Sequence, residues 1–360
     1  MKALSMIFSE ENGEKRKIPF EIQKRTIVLR PSDILLLMLL LLLHTLCGVT
    51  HFFGTVLLSV PTAALYAAYC CRSRRFSLLL PVVGFVTALL VTANGYRAAG
   101  ALFVGLLAFC LFDAVSSEDK RRAKTSAVAR CTLALWGYVG FLCLIFRLFH
   151  PEFSFTAAID SAFDGAEAQA LSQLKTLYDM PELSELLQSG MYGKTVSFET
   201  LSEAVHNAVL QTKYTSPAVV TVIFSVLSYL TASLFKGFCR LLREDRVFGG
   251  VPFEIALSSV SLFCYFIVSL GMLFARGDVY FYCRNLAFVL SPGFMLCGIK
   301  QIGVFFEKFR LPRVALGFIK AGCVAAALLL GNLGSTVLIL LGMLYTLNGS
   351  VRHVGRRDGL

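Results

Sequence analysis

Residues 34–43 read ILLLMLLLLL, and residues 328–347 are apolar apart from a short break at GNLGST. Stretches of this kind cannot form the outside of a water-soluble domain, which covers its core with polar side chains. Of the 360 residues 56% are hydrophobic and 16% charged, against the roughly one quarter charged that soluble chains average. Hydrocarbon is therefore the expected solvent. A helix that crosses a bilayer needs about 20 mainly apolar residues. The pattern predicts an all-α fold: a polytopic transmembrane helical bundle of about ten spans (eight to ten). The spans fall near 33–48, 52–70, 76–93, 98–115, 125–148, 215–236, 253–275, 284–306, 313–331 and 334–348. The short alternating strands of a membrane β-barrel are not seen.

The net charge of +11 sorts by loop rather than marking a nucleic-acid surface. The connections CRSRR, SEDKRRAK, KGFCRLLREDR and EKFRLPR, with the tail VRHVGRRDGL, hold 17 Lys/Arg. The opposite side holds six: Arg97, Lys175, Lys194, Lys213, Arg276 and Arg284. Lys and Arg collect in cytoplasmic loops, so both termini are expected in the cytoplasm of a plasma-membrane protein. Residues 1–32 read as a cytoplasmic N-terminal segment without a signal peptide. Residues 33–148 form a first transmembrane half, 214–348 a second, and 349–360 a basic cytoplasmic tail. All eleven cysteines lie in or beside apolar stretches with no C-x-x-C pair, which predicts buried thiols and no disulfide.

Residues 149–213 break the pattern with nine Asp/Glu and three Lys. Apolar positions recur at helical spacing there, through Ile159, Phe163, Ala166, Ala170, Leu174 and Leu177 and again from Phe198 to Val209. Two or three amphipathic helices are expected outside the membrane. They would shield the bundle or form a lid over its mouth.

The span near 284–306 carries Pro292 and, close to its other end, Lys300. Pro292 should kink the helix. Lys300 has two readings: its stem carries the ammonium to the nearby interface, or it points into the bundle. Gly293, Cys297 and Lys300 share one face at i, i+4 and i+7. On the second reading Lys300 meets Asp113 or Glu254.

No H-E-x-x-H, G-x-S-x-G or P-loop pattern is present, and no Asp or Glu occupies the centre of a span. The chain is expected to be no enzyme and to hold no cofactor. His44 and His51, seven apart, lack the third ligand a metal needs. Polar groups gather instead at the external span ends. Asn94, Arg97, Arg284, Asn285 and Asn332 together could hold a carboxylate or phosphate. The interfacial Tyr96, Tyr280 and Tyr282 read as belt residues. Small residues mark close helix approach: Ala63 and Ala67, Gly293 and Gly298, packing within the bundle or docking a partner.

The second half, SPAVVTVIFSVLSYLTASLFKGFCRLL, then VPFEIALSSV, then RNLAFVLSPGFMLCGIKQIGVFFEKF and a close at LLGMLYTLNGSVR, resembles the YybS-like family of bacterial membrane proteins. The resemblance covers 215–352, and more loosely 33–115. It departs at Cys297, where the family has Gln, and at Tyr345, where an acidic residue is expected. The first half is also distantly similar to the S-components of energy-coupling-factor vitamin transporters. What this implies is a solute-binding or transport subunit that takes a small molecule from outside. Such a subunit relies on a membrane-embedded coupling protein and an ATPase. A second reading is a cell-envelope interaction or scaffold protein using 149–213 or the basic loops. A self-contained carrier of inverted halves is the third, and no similarity between the halves supports it.

Overall fold

The computed structural model describes residues 31–116, 122–180, 197–251, 253–307, 309 and 312–357. All but the end of the segment 1–32 therefore lies outside the described residues, as does the middle of the acidic segment. Among the described residues every regular element is helical, so the fold is all-α. The helices are α1 (Pro31–Val49), α2 (Phe52–Ser73), α3 (Leu79–Thr92), α4 (Gly95–Ser116), α5 (Ala123–Phe149) and α6 (Phe155–Tyr178). They continue with α7 (Phe198–Leu241), α8 (Ser259–Phe274), α9 (Asp278–Glu307), α10 (Arg313–Leu329) and α11 (Asn332–Arg357).

Helix boundaries follow local chemistry. Ser154, Ser197 and Ser258 each accept a backbone N–H from three residues on, which caps α6, α7 and α8. The turn between α3 and α4 is TANG: Ala93 takes a left-handed conformation that closes α3, and Asn94 opens α4. α9 runs on through Pro292 as one helix, and α7 through Pro217.

Ten of these helices coincide with the ten apolar stretches, but the expected span count needs correction. Five are long and apolar enough to cross a membrane: α2, α4, α5, α7 and α9. The apolar parts of α1, α3, α8, α10 and α11 are 10–17 residues long. At about 1.5 Å per residue these fall short of a hydrocarbon core of about 30 Å. The cause is legible in α8. Its apolar stretch starts near 253, yet residues 253–258 are non-helical and the helix opens only at Ser259.

Packing divides the chain into residues 1–39 and residues 40–360. In the first, the described residues are the opening turns of α1, where Ile34, Leu35, Met38 and Leu39 are exposed. In the second, α4 packs on α2, α3 and α5, and α9 packs on α8, α10 and α11. α7 joins the two groups by contacting α2 and α5 on one side and α9 on the other. α2 and α4 are packed by small residues: Ala63, Ala64, Ala67, Ala68, Ala98, Ala101 and Ala108 are fully buried. α9 meets α11 backbone to backbone. A Cβ on Gly298 would fall on the Leu338 carbonyl oxygen, and one on Gly342 on that of Phe294. Only glycine permits that crossing.

α7 is 44 residues long, so at about 1.5 Å per residue it extends about 66 Å, twice a hydrocarbon core. α6 packs along its first half, joined by Lys213–Asp160 at 2.7 Å and His206–Glu167 at 2.8 Å. No residue of α6 is buried. The acidic segment therefore contributes a helical hairpin built on an extension of α7.

Candidate functional site

The five polar residues read as a ligand site lie at helix ends, and three have local duties. Asn94 accepts the backbone N–H groups of Tyr96 and Arg97 at 3.0 and 3.3 Å, the contacts of a helix cap. Asn285 donates its amide to the Tyr214 carbonyl at 2.7 Å, tying α9 to α7 beside the stacked rings of Tyr214 and Phe281. Its Oδ1 is buried without a partner. Asn332 opens α11, and its carbonyl accepts the hydroxyls of Ser335 and Thr336. The Arg97 side chain is exposed and that of Arg284 half-buried. Two grooves are found elsewhere. One of about 410 Å³ runs between α4 and α5 along Leu102, Phe103, Tyr138 and Phe141. The other, about 120 Å³, is lined by Met295, Ile299, Val324 and Leu338 among others. Both are apolar, and none of the five residues lines either.

Ala63 and Ala67 are fully buried by the chain's own helices. Gly293 faces Leu257, whose side chain a Cβ would meet at 3.4 Å. His44 is buried, with Nδ1 donating to the Leu40 carbonyl at 2.7 Å and its ring edge-on to Tyr66. His51 precedes α2 and is exposed. Among the described residues no group of three metal-ligating side chains occurs. All eleven cysteines are free thiols.

Polar side chains do converge at the opposite end, where the basic connections lie. After Phe248 the chain turns through Gly249 and Gly250, both in the left-handed region, and residues 253–258 are non-helical up to the start of α8. Phe253 and Ile255 are buried in this stretch. Non-helical backbone among apolar helices must find partners. Thr125 of α5 supplies two, its hydroxyl donating to the Ala256 carbonyl at 3.0 Å and accepting the Ala256 N–H at 2.9 Å. Lys300 of α9 supplies a third, donating to the Ile255 carbonyl at 2.6 Å. The same ammonium pairs with Glu254 at 2.9 Å and lies 5.9 Å from the Tyr345 ring centre. Gly293 against Leu257 and Lys300 against Ile255 show the predicted shared face lying along this segment. Lys300 thus points into the bundle and selects Glu254. The other candidate, Asp113, pairs with Arg130. The Lys300 ammonium beside Glu254 holds its carboxyl below the usual range.

Lys124 adjoins this pair. It is 7% exposed, donates to the Ser233 hydroxyl at 3.0 Å, and lies 3.9 Å over the Tyr229 ring and 6.0 Å from that of Phe253. Lys236 follows Ser233 by one turn on α7, and its charge is felt at both Lys124 and Glu254. Sequence reading passed over Lys124 and Lys236 because each looks like an ordinary loop-side charge. No local signal separates them, since the aromatic neighbours of Lys124, Tyr229 and Phe253, come from distant parts of the chain. Compared with known protein families, with curated proteins and with solved structures, the chain matches none.

Proposed function

We propose that this chain is a non-catalytic integral membrane protein of the cell envelope, an interaction or scaffold subunit presenting the α6–α7 hairpin outside the bilayer. One observation carries the reading. α7 is about twice as long as a bilayer is thick, and its first half bears an amphipathic helix with no buried residue. Ile159 and Leu177 on α6 are 50% and 46% exposed, surface a partner can cover. The loop charges support an orientation with both termini cytoplasmic and the hairpin external. A photo-crosslinking residue at Ile159 or Leu177, in cells, should give discrete protein adducts. The same residue at the apolar, exposed Phe263 should give none. Equal labelling at all three positions would sink the proposal.

The solute-binding reading, that of an S-component-like subunit, is favoured by a different observation. The Oδ1 of Asn285 is buried and unpartnered, and Arg284 precedes it. The resemblance to the YybS-like family belongs with this reading. In it Asn94, Arg97, Arg284, Asn285 and Asn332 enclose the solute, and a coupling protein with an ATPase supplies energy. The chain's own fully buried Ala63 and Ala67 then pack helices, so docking would fall to other faces. Small molecules co-eluting with the purified protein, and lost on Arg284→Ala with normal membrane insertion, would support it. Unchanged co-elution in Arg284→Ala would remove that residue from the site.

A further inference from the structure

The lysine cluster is not balanced. Lys300 of α9 pairs with Glu254, Lys124 of α5 lies 6.0 Å from the ring of the neighbouring Phe253 and donates to Ser233, and Lys236 follows Ser233 by one turn on α7; among the described residues Glu254 is the carboxylate of this group. Lys300 and Glu254 neutralise each other at 2.9 Å. Lys124 is nine-tenths buried, and its partners among the described residues are all neutral: the Ser233 hydroxyl and the rings of Tyr229 and Phe253. Lys236 makes no hydrogen bond or ion pair among the described residues. Among the described residues Lys124, buried, and Lys236, half-buried, are thus left without a carboxylate of their own, and an uncompensated charge is unfavourable away from water.

We infer that Lys124, Lys236 and the Lys300–Glu254 pair form an anion site for a phosphate group at the basic end of the bundle. The chemistry fits that class better than a carboxylate. Three ammonium groups approach as separate point donors from three helices. A tetrahedral phosphate monoester offers three acceptor oxygens and about −1.5 to −2 charge at neutral pH. A planar carboxylate is better matched by the fork of an arginine. Glu254 and the Ile255 carbonyl both accept from Lys300 and fix that ammonium in place, leaving Lys124 and Lys236 to carry the uncompensated charge towards the ligand. The phosphate could be a lipid headgroup, since the cluster lies where helices end, or a free phosphate. This inference does not depend on the hairpin's role, and the experiment below leaves the hairpin untouched.

The test uses the full-length protein purified in a neutral detergent. Its melting temperature is measured with added dioleoyl phosphatidic acid, with dioleoyl phosphatidylcholine, and with inorganic phosphate against chloride at equal ionic strength. Phosphatidic acid alone raising the melt, with the rise lost in Lys236→Gln and kept in Arg74→Gln, would assign a lipid headgroup. A rise with inorganic phosphate, lost in the same variant, would assign a free phosphate. Lys236 touches no packing partner by hydrogen bond, so Lys236→Gln should fold. Lys236→Arg should retain part of the rise. Independently, acetylation of Lys236 in the unaltered protein should slow when the effective probe is present. No rise with either probe, a rise that survives Lys236→Gln, or acetylation that does not slow would overturn the site.

Discussion

α4 and α9 are both long apolar helices at the centre of a group of neighbours, but they are held differently. In α4, 67% of the most apolar window is buried, and in α9 22%. α4 distributes alanine and glycine around its circumference, from Ala98 to Ala114, so α2, α3 and α5 approach from several sides. α9 concentrates its close approach on the stripe Phe294–Gly298 facing Leu338–Gly342, and exposes Leu286, Phe288, Val304 and Phe305. In lipid, apolar exposure costs nothing, because hydrocarbon solvates leucine as well as protein does. Burial there reports where backbones approach, not where hydrophobic residues are.

That contrast sets the expected effects. The largest is Leu107→Ala in α4, where the side chain is 2% exposed, with a loss of about 2–5 kcal/mol in detergent unfolding. The equivalent truncation on α9, Phe288→Ala at 44% exposed, should stay within about 0.5 kcal/mol. Equal losses would break the comparison. Next, Gly298→Val should separate α9 from α11 and cost about 1–3 kcal/mol, read from the same unfolding curves. Gly140→Val on α5, where a Cβ would meet open space, should change little. A tolerant Gly298 would mean the α9–α11 crossing is not set by its backbone contact.

A smaller effect belongs to the Lys300–Glu254 pair, since half of the Glu254 side chain is exposed. Its carboxyl is held below the usual range by Lys300, so the folded form binds its proton less readily than the unfolded one. The pair's stabilisation is therefore full above the ordinary carboxylate range and is lost as pH falls through the lowered value. Unfolding of the unaltered protein and of Glu254→Gln should differ at pH 7 and converge in acid. A gap that does not change with pH would show that the carboxylate's charge contributes nothing. The smallest effect is Lys213→Ala, which removes a part-exposed ammonium beside the exposed Asp160. Global unfolding should not change, and only protease cleavage of the hairpin should rise slightly. A large drop in melting temperature would tie the hairpin to the bundle core.

Much of the fold was legible. The apolar runs located ten helices, several close to their ends, but α7 starts 17 residues before its apolar run, α8 six residues after, and α11 continues nine residues beyond. The i, i+4, i+7 face of Gly293, Cys297 and Lys300 was readable from spacing alone. The span count was not, because the non-helical run 253–258 reads as apolar sequence, while Thr125 and Lys300, distant in the chain, satisfy its backbone. The ligand-site reading grouped residues by their end of the membrane. Asn94 and Asn285 turned out to hold backbone groups of their own neighbourhood.

By itself the sequence determined the helical class, the apolar runs compatible with a membrane protein and the connections in which basic residues collect, since composition and short-range spacing carry all three. Only the tertiary structure decided which polar groups meet. Lys124, Ser233 and Glu254 are separated by up to 130 residues of chain, and a lysine at a helix end looks the same whether it reaches water or a neighbouring helix. Convergence depends on which helices approach, and that is settled by where small residues let backbones close.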